Sequence, residues 1–139
     1  MKVWCDGAFK PSLEQGGIGV VWVNDDGKII KTYSKGFKNG KLKVTNQTME
    51  VLAAITAIMG IKSPIESLEI ITDSMYVVGT MTKNWKRKAN NALWNQLDKV
   101  IKESKIKNIT FRHTYGHADD EFNNIADKLA DAASKEFIE

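Results

Sequence analysis

The order of sequence periodicities along the chain is the feature that most restricts its fold. In the first third, apolar and β-branched residues alternate or cluster in short runs bounded by Gly and Asp, which predicts strands at about residues 2–9, 17–23 and 28–35. The sequence Asn24-Asp25-Asp26-Gly27 separates the last two of these. Because Asp and Gly tolerate the positive φ of tight turns, the strands on either side are predicted to be an antiparallel hairpin.

The remainder of the chain alternates between helical and strand patterns. Apolar residues at helical spacing predict a helix over 45–60, which Thr45 or Asn46 can cap. The same reasoning predicts a strand at 68–72 and a helix at 74–82 with Asp73 or Ser74 at its cap. It also predicts a helix at 92–104, a strand at 109–114, and a last helix from about Phe122. Strands followed by alternating helices and strands indicate an α/β fold, with five strands in a mixed sheet flanked by helices.

Composition is consistent with one soluble domain over residues 1–139. The chain is 42% hydrophobic and 27% charged, and its length is sufficient to bury a core without disulfides. A single cysteine, Cys5, excludes an internal disulfide, and its strand pattern favours a buried thiol. No apolar run is long enough for a secretory signal or a membrane span, so a cytoplasmic location is expected. The chain is separately expected to be a monomer. A net charge of +3 permits a polyanionic partner without requiring one.

Four acidic residues stand where separate elements can turn them toward one edge of the sheet. Asp6 and Asp73 each close an apolar run, and carboxyl ends of neighbouring strands meet at one edge. Glu50 lies near a helix start and Asp127 within the last helix, so together they could supply hard oxygen ligands for divalent ions in phosphoryl transfer. Each also has a structural interpretation: a helix cap for Asp73, a dipole partner for Glu50, and a solvated face for Asp127 and Asp131.

Two further segments leave alternatives open. The glycines of Gly16-Gly17-Ile18-Gly19 resemble a phosphate-cradling loop but lead into a strand, which favours close strand packing instead. The basic residues around Trp85 could hold phosphates while the ring packs on a sugar or base. The other interpretation of that segment is a solvated helix end with Trp85 in the core.

The two histidines differ in context. His117 lies in a polar loop before the last helix, where a histidine can shuttle a proton near neutral pH. His113 falls within the fifth predicted strand and is expected to be a packed or surface residue of that strand. The acidic residues 119–121 can complement the amino terminus of the following helix.

Several motifs, taken in order, resemble type 1 ribonuclease H over essentially the whole chain. They are Cys5-Asp6-Gly7-Ala8, Thr45-Asn46-Gln47-Thr48-Met49-Glu50, Ile71-Thr72-Asp73-Ser74-Met75-Tyr76-Val77, and Gly116-His117-Ala118 followed by Asn123-Asn124-Ile125-Ala126-Asp127. The resemblance implies a ribonuclease H-like fold whose first three strands are antiparallel. It also implies an endonuclease that hydrolyses the RNA strand of RNA/DNA hybrids and leaves 5'-phosphate and 3'-hydroxyl ends.

The same resemblance assigns roles to the acidic residues. Asp6, Glu50, Asp73 and Asp127 would bind two magnesium ions, with manganese as a second candidate metal. His117 would assist proton transfer or product departure. The separation between His117 and the last carboxylate matches the family for Asp127 rather than for Asp131.

Substrate contacts are implied for a wider set of residues. Gly7, Asn46 and Gln47 resemble positions that sense the 2'-hydroxyls, while Asn123 would be a further polar contact near the cleaved strand. A DNA-strand phosphate pocket would use Lys43, Thr45 and Asn90. The chain lacks most of the family's basic protrusion, which these residues would partly replace: Lys83, Trp85, Lys86, Arg87 and Lys88.

One residue departs from the family's pattern, and two other functions stay open. Met75 stands where many relatives have a polar residue, so one minor-groove hydrogen bond is not expected. Alternatives to a hybrid-cleaving enzyme are a DNA nuclease or transposase of the same fold, and a hybrid-binding module without turnover. The Thr45-Asn46 segment and the loop His117 argue against the DNA enzyme, and the complete acidic set argues against the binding module.

Overall fold

The computed structural model describes residues 1–116 and 120–135. Its strands are β1 (Lys2–Lys10), β2 (Gln15–Val23), β3 (Ile29–Lys38), β4 (Ile65–Thr72) and β5 (Ile106–His113). Its helices are α1 (Asn46–Met59), α2 (Met75–Thr82), α3 (Asn91–Glu103) and α4 (Glu121–Lys135), and a single 3-10 turn covers Pro11–Leu13. Every strand and helix predicted from the sequence is present, and the predicted fold class is confirmed.

One mixed sheet contains all five strands in the order β3-β2-β1-β4-β5. The first three strands are antiparallel, whereas β4 runs parallel to β1 and β5 parallel to β4. The predicted hairpin joins β2 to β3, with Gly27 at φ 79°. The Asn24 side chain accepts hydrogen bonds from the backbone of Asp26 and Lys28, which fixes the turn.

Alternation along β2 directs its side chains to two different helices. Ile18 and Trp22 belong to the large core on the α1 side, whereas Val21 belongs to a smaller cluster on the α4 side. Gly17 and Gly19 also face α4, where a Cβ would lie 2.4 and 2.2 Å from backbone oxygens of that helix. The prediction that these glycines allow close packing between strands is therefore wrong. They instead allow helix α4 to pack closely on β2.

Helix ends are fixed where the sequence predicts. Thr45 caps α1 in a reciprocal arrangement with Thr48, and Ser74 caps α2 by accepting from the Val77 amide at 3.2 Å. The thiol of Cys5 is buried, as predicted, and burial followed by the neighbouring carboxylates raises its pKa. Within the described residues, no helix combines the length and apolar character of a membrane span.

Candidate active site

The register of two parallel strands brings Asp6 and Asp73 to the same position at the sheet edge. Trp4 of β1 pairs with Ile71 of β4, and each carboxylate lies two residues farther along its own chain. Asp73 follows the end of β4, as predicted. Asp6 does not end its strand, because β1 continues to Lys10 in partnership with β2. It instead lies just beyond the point where the β1–β4 ladder ends.

The Asp6 carboxyl group is the buried centre of the acidic cluster. It is 5% exposed and hydrogen-bonds with the carboxyl groups of Asp127 and Asp73. Burial, then the Asp73 charge and the contact with Asp127, raise the pKa of Asp6 to about 9, against a smaller opposing effect of the Gly7 backbone. In the absence of a cation, Asp6 is therefore protonated at neutral pH.

Glu50 reaches the cluster from the amino-terminal half of α1, one turn after Asn46. Its two carboxylate oxygens accept hydrogen bonds from Asn46 Nδ2, at 2.6 Å, and from Ser74 Oγ. Burial raises the pKa of Glu50, and the hydrogen bond from Ser74 opposes that rise. Gly7 permits this approach, because a Cβ there would lie 2.6 Å from the Glu50 amide nitrogen. Ser74 and Asn46 thus orient the carboxylate that the sequence identified.

The last helix offers two aspartates, and only one of them contacts the acidic cluster. Asp127 hydrogen-bonds with Asp6. Asp131 instead pairs with Lys10 at 2.5 Å and with Lys135 at 2.9 Å, and these contacts lower its pKa. Of the two acids, Asp127 therefore belongs to the acidic cluster, while Asp131 ties α4 to the end of β1.

Gly19 explains how α4 comes close enough for Asp127 to reach its partner. It is the residue of β2 that pairs with Asp6, and its missing side chain lets the Ala126 carbonyl approach the sheet. A Cβ at this position would be 2.2 Å from that oxygen. The glycine and the two acids therefore form one structural unit.

His117 lies outside the described residues, but both flanks of its loop are fixed. Thr114 Oγ1 donates to Asp120 at 2.6 Å, and Asp120 in turn accepts from the Asn123 amide at 3.1 Å at the start of α4. Asp120 therefore caps α4, which agrees with the predicted role of the acidic segment. Gly116, before the loop, lies beside the acidic cluster, since a Cβ there would be 3.8 Å from Asp73 Oδ2.

His113 is a neighbour of the cluster that the sequence did not reveal. Its Nε2 lies 3.2 Å from the Asp73 carbonyl oxygen, and its ring packs edge-on against Tyr115. Loss of hydration around the Asp73 carboxyl group raises its pKa, while the contact with Asp6 and the His113 charge oppose that rise. The only available signal was its position at the end of a strand beside the one that Asp73 follows.

The donor set fits divalent cations, although the side chains are turned toward one another. Carboxylate oxygens are the preferred ligands of magnesium. The pKa values of Asp6, Glu50 and Asp73 are raised, so binding of a cation would displace protons from these acids. Among the described residues, no three acidic, histidine or cysteine side chains surround one common point. Asp6 nevertheless contacts both Asp73 and Asp127, so these carboxyl groups lie within reach of one another.

The residues predicted to contact substrate differ in how available they are. Asn46, Gln47 and Lys43 are exposed around the start of α1, while Thr45 is engaged as its cap. Asn123 is 4% exposed, and its Oδ1 has no hydrogen-bond partner among the described atoms. An unpaired buried oxygen of this kind is costly unless another polar group satisfies it.

Asn90 is held by a residue that the sequence reasoning did not single out. It has φ 60° before α3, and its Nδ2 donates to Tyr76 Oη at 3.0 Å. Trp94 Nε1 donates to the same oxygen at 3.2 Å, and the two aromatic rings lie 5.2 Å apart. Tyr76 therefore fixes the Asn90 amide from α2. No sequence pattern links these residues, which are 14 positions apart.

The basic segment between α2 and α3 is only partly available to a ligand. Trp85 is 45% exposed, with its ring against Gly79, so it is neither a core residue nor a free platform. Arg87 donates both terminal nitrogens to Asp98 of α3, at 2.5 and 3.1 Å. Lys86 and Lys88 are exposed. The predicted phosphate contacts in this segment therefore fall mainly to the lysines.

Comparison with known proteins gives the family. The RNase H family model matches residues 1–135. The ribonuclease H of Clostridium botulinum is 32% identical, over 97% of this chain and 95% of that protein, and the ribonuclease H of Acetivibrio thermocellus is 31% identical over 94% and 91%.

Solved structures with lower sequence identity share the fold. LC11-RNase H1 in complex with an RNA/DNA hybrid superposes with a TM-score of 0.80 at 23% identity, over 97% of this chain and 96% of that one. RNase H1 from Halobacterium salinarum gives 0.79 at 21% identity, with 98% of each chain covered. The chain belongs to the RNase H family, as its resemblance to type 1 ribonuclease H predicted.

Proposed function

We propose that this chain is an endoribonuclease that hydrolyses the RNA strand of RNA/DNA hybrids and leaves 5'-phosphate and 3'-hydroxyl ends. The observation that carries the proposal is that acids from separate elements meet around the buried Asp6 carboxyl group. Asp73 and Asp127 contact Asp6, and Glu50 lies beside Asp73. Family membership and relatives named ribonuclease H support the same activity. A relative of the same fold was solved with an RNA/DNA hybrid.

The four carboxylates would hold two magnesium ions, or manganese in their place. Bound divalent ions supply charge neutralisation at the scissile phosphate and lower the pKa of the attacking water. The protein contributes the acids and their orientation. Asp6 must release its proton to become a ligand, whereas Ser74 and Asn46 already hold the Glu50 carboxylate.

Hybrid recognition would use groups on either side of the acids. Gly7, Asn46, Gln47 and Asn123 would read the RNA strand, for which the 2'-hydroxyl is the distinguishing group. On the DNA strand, a phosphate would be bound by Lys43, Thr45 and Asn90, with Tyr76 fixing the Asn90 amide. His117 would move a proton or assist product departure. Trp85, Lys86 and Lys88 would add contacts of moderate strength, while Arg87 stays paired with Asp98.

Cleavage of defined duplexes tests the proposal. A labelled RNA strand paired with DNA should be cut in the presence of magnesium, while duplex DNA and duplex RNA of the same sequence remain intact. The products should carry 5'-phosphates that a phosphatase removes. Cleavage of duplex DNA with equal efficiency would contradict the substrate assignment and favour a DNA nuclease of the same fold.

A matched pair of variants tests the acidic site. Asp127→Asn and Asp131→Asn make the same chemical change on the same helix, but only Asp127 contacts Asp6. We expect Asp127→Asn to lose at least 100-fold in hybrid cleavage, since removing a charged catalytic group costs several kcal/mol, and Asp131→Asn to stay within about threefold of the parent. Equal losses would contradict the assignment of the last ligand. Sedimentation of the parent chain would test the expected monomer.

A further inference from the structure

A groove runs along the sheet between α1 and the edge strand β3. Its volume is about 490 Å³. The floor is formed from β2 by Ile18 and Trp22, while α1 contributes Leu52 and Met59 to one wall. Since α1 packs on β1 and β2, the α1-side face of β3 provides the other wall. The groove contains none of the acids or substrate residues of the proposed nuclease site.

The β3 wall is built by alternation, which directs every second residue of the strand into the groove. Lys31, Tyr33, Lys35 and Phe37 pair in register with β2 residues of the α1 side. Tyr33 is 43% exposed, and Met59 across the groove is 51% exposed. An open groove with large apolar side chains on both walls is typical of a peptide-binding surface.

The groove has a single sign of charge. Lys31, Lys35 and Lys62 line it, and among the described residues that line it there is no Asp or Glu. None of these lysines forms an ion pair with a described carboxylate. Lys31 donates to the Gly60 carbonyl and lies 4.6 Å from the centre of the Trp22 ring, and Lys35 lies 5.4 Å from the Phe37 ring. The ammonium groups of Lys31 and Lys35 are thus held at the groove by a carbonyl oxygen and by aromatic faces, and no described carboxylate pairs with them.

The strand that forms the wall also has an unpaired edge. β3 is the last strand of the sheet on this side, so its outer backbone groups have no strand partner among the described residues. A bulge at Ile30 disrupts the β2–β3 register, and the Ile30 side chain is 49% exposed beside Lys31 and Lys62. The apolar surface therefore continues past one end of the groove, along the lysines.

We propose that this groove binds an acidic peptide segment of another protein, in which aromatic or aliphatic side chains alternate with carboxylates. The apolar side chains would enter the groove between Tyr33 and Met59. The carboxylates would pair with Lys31, Lys35 and Lys62. Charge complementarity selects this occupant over a neutral or basic peptide. The aliphatic side chains of Ile18, Leu52 and Met59 in the groove, and its position away from the acidic cluster, favour it over nucleic acid.

Fluorescence anisotropy with defined peptides tests the proposal on the full chain. The probe is a labelled peptide in which aspartate alternates with phenylalanine and leucine; its comparison peptide has lysine at every aspartate position. We expect the acidic probe to bind and the lysine peptide not to bind. The double substitution Lys35→Glu and Lys62→Glu should weaken binding of the acidic probe at least tenfold.

A matched control keeps the change in net charge the same. Lys2 and Lys102 are exposed, do not line the groove, and have no described ion-pair partner. The double substitution Lys2→Glu and Lys102→Glu should therefore leave probe binding within about twofold of the parent. Both double variants should melt at the parent temperature and cleave hybrid at the parent rate. The groove variant should acquire affinity for the lysine peptide, which a merely unfolded variant cannot do.

Three results would overturn the proposal. One is an acidic probe that does not bind, or that binds both double variants equally. Another is displacement of the probe by single-stranded DNA at a concentration similar to that of unlabelled peptide, which would identify a nucleic-acid surface. The third is self-association of the parent chain that the groove substitutions abolish, which would identify a second copy of this chain as the occupant.

Discussion

Replacing the ionisable carboxyl group of Asp6 with a neutral amide is expected to stabilise the protein in the absence of divalent metal, although it should abolish nuclease activity. The pKa of Asp6 is raised from 3.8 to about 9 by burial and by the neighbouring acids, so the folded state retains a proton that the unfolded state releases. Asp6→Asn supplies a neutral group of the same shape at every pH. Its amide can donate hydrogen bonds to Asp73 and Asp127, which the carboxyl contacts at present.

The sign and size of this change in the free energy of unfolding follow from the linkage between protonation of Asp6 and folding. A raised pKa in the folded state means that stability from this group is fully present below pH 3.8 and is lost as the pH rises to about 9. About three pH units separate the ordinary pKa from pH 7, and each unit is worth about 1.4 kcal/mol, which gives an upper limit of roughly 4 kcal/mol. Side-chain rotation and solvent entry reduce this, so we expect a gain of about 2 kcal/mol at pH 7, or roughly 5–10 °C in Tm.

Chemical denaturation with a metal chelator, at pH 5, 6, 7 and 8, measures this prediction. The difference in free energy of unfolding between Asp6→Asn and the parent should be small at pH 5 and should grow as the pH rises. Asp131→Asn is the matched control, because Lys10 and Lys135 lower the pKa of Asp131 and its replacement should destabilise the chain. A difference that does not change with pH, or a variant less stable than its parent at pH 8, would refute the reasoning.

Other consequences of the site can be measured directly. Magnesium binding should release protons and strengthen as the pH rises from 6 to 8, because the raised pKa of Asp6 opposes ligation. Calorimetry in buffers of different ionisation enthalpy measures the proton release, and equal heats in all buffers would contradict the prediction. Tyr76→Phe removes the acceptor for Asn90 and should raise KM for hybrid about three- to tenfold with kcat unchanged, whereas a fall in kcat alone would contradict a positioning role. Gly79→Ala places a Cβ 2.3 Å from the Trp85 ring, so it should displace that ring and shift tryptophan fluorescence. Hybrid binding should weaken while magnesium affinity stays unaffected. An unchanged emission spectrum would contradict the contact.

The elements of the fold were predictable because each has a strong local pattern. The Asn24–Gly27 turn and the apolar periodicity of α1 both reflect backbone preferences that neighbours in sequence determine. Element ends were less predictable. β4 begins at Ile65 rather than near residue 68, because its first residues are extended by pairing with β5 and not by an apolar pattern of their own.

Contacts between distant segments were the part that sequence reasoning missed. Ser74 was assigned a capping role, yet its hydroxyl group also donates to Glu50, which lies 24 residues earlier. The ion pair from Arg87 to Asp98 likewise removes a cation that the sequence had counted as available for phosphate. In both cases the residue type permits several partners, and only the packing of separate elements decides among them.

The convergence of acids depends on two glycines that act on opposite faces of the sheet. Gly7 admits the start of α1, which carries Glu50, and Gly19 admits α4, which carries Asp127. Asp6 lies between them, next to Gly7 in sequence and opposite Gly19 in register. Repulsion between the acids and their loss of hydration both oppose this arrangement. Without a cation, the free energy gained by burying the surrounding core must therefore offset these two costs. A side chain at either glycine would clash with the backbone of the helix packed against it. Asp6→Asn instead removes the ionisable group and leaves both glycines in place, which explains why the substitution expected to stabilise the chain is also one that inactivates it.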